Sequence, residues 1–97
     1  MKKELTYEYR VSHSRADAYK VAIKALESAE RDRAFPVRVD FSYNENNFEL
    51  RGRGSGFEVK LEFSDTYLDL FLDLSFVLRP AKRKILAAIQ NELGKCL

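Results

Sequence analysis

The architecture follows from the segment Tyr67-Leu-Asp-Leu-Phe-Leu-Asp-Leu-Ser-Phe-Val77, which runs through Leu78-Arg79-Pro80 directly into an amphipathic pattern. Apolar and polar residues alternate along this segment, and side chains two residues apart lie on the same face of a β-strand. The predicted buried face comprises Leu68, Leu70, Leu72, Leu74 and Phe76. The next apolar residues recur at helical spacing, namely Ile85, Leu86, Ile89 and Leu93. The segment therefore predicts a long strand and a closing helix whose apolar stripes pack against each other.

Length and composition indicate a single domain that spans residues 1–97. Hydrophobic residues make up 45% of the chain and charged residues 33%, which is enough apolar material for one core at this size. The 17 basic and 15 acidic residues are interspersed along the sequence. The net charge of +2 therefore indicates solubility, and we do not expect a nucleic-acid partner.

Neither export nor membrane insertion is expected from the sequence. The N-terminal residues lack the apolar run of a signal peptide. The longest apolar stretch, Tyr67 to Leu78, is interrupted by polar residues and is far shorter than the roughly 20 residues of a membrane helix. The single cysteine, Cys96, has no partner for an internal disulfide, which suits a reducing compartment. We therefore expect a cytoplasmic protein without a membrane span.

The first third of the chain predicts a strand and a helix. Apolar residues of the strand alternate with polar ones at Leu5, Tyr7, Tyr9 and Val11. Ser14 is a suitable N-cap, and Asp17 completes an acidic capping box, so a helix should begin near Arg15. The helix should end before Phe35-Pro36, because proline restricts the preceding residue to extended geometry. Its apolar stripe consists of Tyr19, Ala22, Ile23 and Leu26.

Three further strands, joined by short turns, are predicted between Pro36 and the closing segment. The inward residues of the first are Val37, Val39, Phe41 and Tyr43. The turn Asn44-Glu-Asn-Asn47 leads into a strand from Phe48 to Arg53, since asparagine tolerates the positive φ of hairpin turns. The glycine-rich segment Gly52-Arg-Gly-Ser-Gly56 then reverses the chain into a strand from Phe57 to Phe63.

The element order β-α-β-β-β-β-α predicts a two-layer α+β fold. Consecutive strands with short turns form an antiparallel sheet, here five-stranded, and both helices should cover one face of it. We expect the first strand to lie beside the fifth. This topology is similar to a reduced helix-grip domain, in which a curved sheet wraps a C-terminal helix. That similarity implies a groove between sheet and helix for a small apolar ligand.

Three motifs that could indicate a nucleotide, metal or catalytic site are better explained by their structural roles. The glycine segment is followed by a strand, whereas a dinucleotide fingerprint needs a following helix. Asp69 and Asp73 lie about 13 Å apart on one strand, too far for shared ligation or carboxylate pairing. His13 stands between two serines at a helix cap, and a catalytic Ser-His dyad would also need an orienting acid and an oxyanion site, a geometry that neighbours in sequence rarely reach. We therefore predict no catalytic residues, no metal site and no cofactor, and we expect that the protein is not an enzyme.

Two candidate binding surfaces stand out. Phe71 and Val77 fall on the water-facing side of the last strand, where they indicate either a partner or self-association patch, or side chains covered by strand twist. A basic group at the start of the second helix comprises Arg79, Lys82, Arg83 and Lys84. Cations are unfavourable at a helix N-terminus, so an acidic partner or a phosphate would stabilise them. A solvated basic turn is the alternative.

The chain as a whole resembles the polyhydroxyalkanoic acid system proteins, a bacterial family linked to storage-polyester granules. The resemblance is carried by the strand leading to His13-Ser14, the alanine-rich helix, the glycine hairpin Gly52 to Gly56, the alternating Phe57 to Phe63, and the ending Leu74 to Pro80 followed by Ile85, Ile89 and Leu93. It implies a cytoplasmic, non-catalytic accessory protein of polyhydroxyalkanoate granules or their metabolism. Such a protein would act by binding a protein or the polymer surface. The resemblance assigns no catalytic residues. Whether the chain forms a homo-oligomer is left open.

Overall fold

A computed structural model describes residues 2–33, 35 and 38–97. Its elements are β1 (Lys2–Glu8), α1 (Arg15–Arg31), β2 (Asp40–Asn44), β3 (Glu49–Gly54), β4 (Phe57–Phe63), β5 (Tyr67–Leu74), a 3-10 helix (Phe76–Ala81) and α2 (Lys82–Cys96). The strands form one sheet in the order β1-β5-β4-β3-β2, and all neighbours are antiparallel. This confirms the predicted α+β fold, including β1 beside β5.

The Ser14 cap predicted for α1 is present, and the Asp17 carboxylate bonds the residue before the cap. Asp17 N–H donates to Ser14 Oγ at 3.1 Å, and His13 N–H donates to Asp17 Oδ2 at 3.4 Å. The first bond satisfies a main-chain donor that the first turn of a helix leaves free, and the second satisfies the N–H of the residue before the cap. The buried residues of the helix are Ala18, Tyr19, Ala22, Leu26 and Ala29.

The core lies between the inner face of the sheet and the two helices. Every second residue of β4 and β5 points into it, as period two requires. The sheet contributes Leu50, Phe57, Val59, Leu61, Phe63, Leu68, Leu70 and Leu72, and α2 contributes Ile85, Ile89 and Leu93. Val39 is buried as predicted, whereas Val37 lies outside the described residues.

The edge strand β1 contains a bulge. Lys3 pairs with Phe71 but Leu5 pairs with Leu70, so Glu4 is an extra residue in the ladder. The Glu4 carboxylate bonds the Lys82 ammonium at 2.9 Å and so connects the bulge to the start of α2. A bulge interrupts the row of free main-chain groups that another strand would need.

Two residues of the first two strands that were predicted to face the core are exposed. Val11 is 62% exposed, because β1 ends at Glu8 and the chain then turns along the end of α2. There Leu97 O accepts main-chain N–H bonds at 2.7, 2.7 and 3.3 Å, in order from Arg10, Val11 and Ser12. Tyr43 is 41% exposed, because β2 lies at the edge of the sheet while α1 packs on β3 and β4.

Candidate interaction site

An adjacent pair of apolar side chains, Phe76 and Val77, projects from the junction between β5 and α2. Their exposed fractions are 83% and 81%. The pairing of β4 with β5 ends at Phe57 and Leu74, so the chain beyond Leu74 has no strand to bond. It enters a 3-10 helix instead. The prediction that Phe76 continues the buried stripe is therefore wrong.

The hairpin turn between β3 and β4 holds this junction in place. Ser75 N–H donates to Gly56 O at 2.7 Å, and Leu78 N–H donates to Ser75 O at 3.0 Å. Gly56 has φ 82°, and a Cβ there would lie 2.7 Å from Ser75 Oγ and 3.2 Å from Leu78 Cδ1. Only glycine adopts this conformation without strain and leaves this space. Leu78 packs against the core, so Phe76 and Val77 are left outside it.

The four basic residues of this junction separate into two groups. The Arg79 guanidinium lies 6.0 Å from the centroid of the Phe76 ring, within reach of a cation–π contact. Arg79 and Lys82 also line a groove of about 350 Å³ beside the start of β1. Arg83 and Lys84 are exposed, do not line that groove, and form no ion pair with the part of the chain that the structure describes.

Phe71 lies on the outer face of the sheet but is not freely exposed. Its side chain is half-buried, and the Lys60 ammonium lies over the ring at 4.5 Å from the centroid. Phe71 is a residue of β5, whereas Val77 belongs to the 3-10 helix, so the two do not form one strand face. Of the two predicted contact residues, only Val77 is accessible enough to meet an apolar partner.

The rest of the outer sheet face is acidic, and four of its carboxylates are paired with cations of the same face. It carries seven carboxylates and four cationic groups: Glu8, Asp40, Glu49, Glu58, Glu62, Asp69 and Asp73, with Lys3, Arg51, Arg53 and Lys60. Arg51 and Arg53 contact Glu58 at 3.4 and 2.9 Å. The hydrogen bond from Arg53 is the main reason that the pKa of Glu58 is lowered. A face with more carboxylates than cationic groups does not suit an anionic partner.

The space between the sheet and the helices is almost filled. An apolar cavity bounded by α1, α2 and the central strands measures about 10 Å³. A cavity needs roughly 10–15 Å³ of such space to hold even one water molecule. The predicted groove for a small apolar ligand is therefore not open in this conformation.

The remaining side chains that could carry chemistry show no sign of a catalytic or metal site in the part of the chain that the structure describes. Asp69 accepts a hydrogen bond from Thr6 Oγ1 at 2.6 Å and lies 3.9 Å from Lys3 Nζ. Burial raises the pKa of the Cys96 thiol, which keeps it protonated at neutral pH. Among residues 2–33, 35 and 38–97, no three ligand-type side chains cluster as a metal site would require. No helix in the same ranges combines the length and the apolar character needed to cross a bilayer.

Comparison with known proteins gives no family or fold assignment. A scan against protein-family models, a search of curated proteins and a search of solved structures each returned no match. The functional argument therefore depends on the residues and on the geometry of the Phe76–Val77 pair.

The sequence did contain a signal that Phe76 lies outside the strand. The β4 strand begins at Phe57, directly after the glycine turn, and its seven residues can pair with no more than about seven residues of β5. The alternating segment is longer than that. Its last residues, including Phe76, have no partner on β4, although their alternation with polar residues continues.

Proposed function

We propose that this protein is a non-catalytic accessory protein that binds the apolar surface of polyhydroxyalkanoate storage granules. The observation that supports the proposal is the adjacent pair Phe76 and Val77, both more than four-fifths exposed on a turn held by Gly56 and Leu78. Contiguous exposed apolar side chains on a small domain often mark an interaction surface. The resemblance to granule-region proteins is the reason for proposing the granule polymer as the surface that the pair contacts.

The cationic side chains beside the Phe76–Val77 pair are suited to contact with a polyester surface. Polyester chains of this kind carry ester carbonyls along their length and a carboxylate at one end, and both groups accept hydrogen bonds. Arg79 is adjacent to Phe76 and offers a planar set of donors that matches a carboxylate. Exposed Arg83 and Lys84 add positive charge on the first turn of α2. The surface would thus combine an apolar contact with cationic groups around it.

Removing the larger side chain of the Phe76–Val77 pair should weaken adsorption to the polymer. Complete burial of a valine or phenylalanine side chain stabilises by about 1.5–3 kcal/mol. Partial burial at a flat surface contributes less, so we expect Phe76→Ser to lower the partition coefficient about tenfold. The measurement is depletion of purified protein by suspended polyhydroxybutyrate particles, read from the protein left in solution.

The matched control is Val11→Ser, because Val11 is 62% exposed but belongs to the β1–α1 connection. This variant should adsorb like the wild type, and circular dichroism should show native folding for both variants. Equal adsorption of Phe76→Ser and the wild type would rule out this surface. Adsorption of the wild type only to particles coated with granule protein would rule out direct contact with the polymer.

An acidic partner at the basic residues is a second candidate function. It is favoured by Arg83 and Lys84, which are exposed and have no ion-pair partner in the described ranges. We expect inorganic phosphate or a short oligonucleotide to shift the amide resonances of the basic residues Arg79, Lys82, Arg83 and Lys84. The affinity should fall steeply as salt rises, because exposed charges are screened. Equal shifts after Arg83→Glu and Lys84→Glu would contradict anion binding there.

A further inference from the structure

The two edges of the sheet differ in how they are protected. The β1 edge has the bulge at Glu4 and the lysines Lys2 and Lys3, which are two common ways of preventing strand addition. The β2 edge has neither. Asp40–Asn44 pairs with β3 in an unbroken register and contains no lysine and no proline. Within the described residues no strand lies on the outer side of β2, so alternate main-chain donors and acceptors point away from the sheet.

The sequence of β2, Asp-Phe-Ser-Tyr-Asn, is nearly symmetric about Ser42. If two copies pair antiparallel with Ser42 opposite Ser42, Phe41 lies opposite Tyr43 and Asp40 opposite Asn44. This is the one antiparallel register that pairs all five residues. It brings no like charges together and forms two aromatic cross-strand pairs, which stabilise antiparallel strands. This register is possible whichever main-chain groups of β2 point outward. The two Ser42 residues can form either a hydrogen-bonded or a non-hydrogen-bonded pair, because antiparallel strands alternate between the two kinds.

The surface beside β2 has the exposure and the charge balance of a self-contact. An open groove of about 750 Å³ lies between the second half of α1 and β2. Its charged side chains are three cations and three carboxylates, namely Lys24, Arg31, Arg38, Glu27, Glu30 and Asp40. A neutral mixed surface lets two identical copies approach without net repulsion.

Tyr43 is the side chain of this groove best placed for a second copy. It is 41% exposed on the inner side of β2. Partial burial and the neighbouring Glu27 carboxylate raise the pKa of Tyr43, so its hydroxyl stays protonated at neutral pH. Phe41 of the second copy would cover the exposed ring.

We propose that two copies of this chain associate through β2, with Ser42 on the two-fold axis, to form one continuous ten-stranded antiparallel sheet. A second copy is a better partner than an unrelated peptide, because β2 is its own complement in the fully paired register. The inference goes beyond the proposed granule binding and does not depend on it, since the Phe76–Val77 pair lies on a different part of the chain.

The decisive experiment is a charge swap at Ser42. This side chain is exposed on the outer sheet face, and its cross-strand neighbour within one copy is Arg51. In the dimer, Ser42→Glu places two carboxylates opposite each other, and Ser42→Lys does the same with two ammonium groups. We expect each variant to weaken dimerisation about fivefold to tenfold. A one-to-one mixture of the two variants should restore association, because opposite charges then meet.

The measurement is sedimentation equilibrium over a wide concentration range. The wild type should move from the 11.3 kDa of one chain toward twice that mass as concentration rises. The matched control is Ser55→Glu, an exposed serine in the β3–β4 turn, which should dimerise like the wild type. A wild type that stays at the mass of one chain would overturn the proposal. So would a Ser42→Glu variant that dimerises like the wild type, or a mixture that fails to recover.

Discussion

Leu72→Asp is expected to unfold the domain. Leu72 is 4% exposed on β5, where it pairs with Val59 and faces the helices. The core cluster that the structure describes around it contains no charged side chain, and the cations that flank it, Lys2 on β1 and Arg79 and Lys82 in the adjoining groove, are exposed or half-buried. Burying an unpaired polar or charged group costs several kcal/mol, against a total stability of roughly 5 to 15 kcal/mol for a domain. Urea titration followed by circular dichroism measures the loss.

A control on the same strand tests the assignment of faces. Tyr67 is 38% exposed and points to the outer side of β5. Tyr67→Asn adds no carboxylate opposite Glu8 and should therefore cost no more than about 1 kcal/mol, as for most surface substitutions. A cooperative transition of Leu72→Asp at the wild-type urea midpoint would mean that the two faces of the sheet are reversed.

Gly54→Ala is expected to have the second largest effect. A Cβ at Gly54 would collide with the ring of Phe57 and with the carbonyl oxygen of Arg38. Phe57 is buried and Arg38 O belongs to the main chain, so neither can move without disturbing its surroundings. Overpacking a filled core typically costs 1–3 kcal/mol, and we expect about 3 kcal/mol here. For a domain of this size the Tm should fall by more than about 10 °C.

The matched control is Gly94→Ala in α2. A Cβ there meets only Tyr7 Oη, at an ordinary contact distance of 3.7 Å. Alanine is the better helix former by about 1 kcal/mol, so this variant should equal or exceed the wild type in stability. If Gly54→Ala and Gly94→Ala melt at the same temperature, the close packing of Phe57 over Gly54 is not present in solution.

Local patterns predicted most of the fold. The cap at Ser14 depends only on residues within one turn, so the start of α1 follows from adjacent sequence. The inward leucines of β5 follow from period two, because each must reach the only core that the chain can form. The pairing of β1 with β5 was also predictable, since four consecutive hairpin-linked strands leave the first strand a choice of only two sheet edges.

Interactions between distant residues decided where the accessible surfaces lie. The alternation of β5 continues to Phe76, yet the main-chain bond between Ser75 and Gly56 ends the strand and turns Phe76 outward. Phe71 has the outward position that its pattern predicts, but cross-strand Lys60 covers the ring. Likewise the bulge at Glu4 places a carboxylate beside Lys82. Lys82 is therefore ion-paired, unlike its neighbours Arg83 and Lys84 in the described part of the chain.

The sequence by itself determined the element order, the cap of α1 and the inward face of the central strands, because those features depend on residue spacing and on bonds within one element. The tertiary structure alone decided that Phe76 and Val77 project from the domain, that Phe71 is covered, and that β2 is the unprotected edge. The physical reason is that a side chain's exposure and a strand's free edge depend on which distant groups lie beside them. Those neighbours become adjacent only when the sheet is assembled.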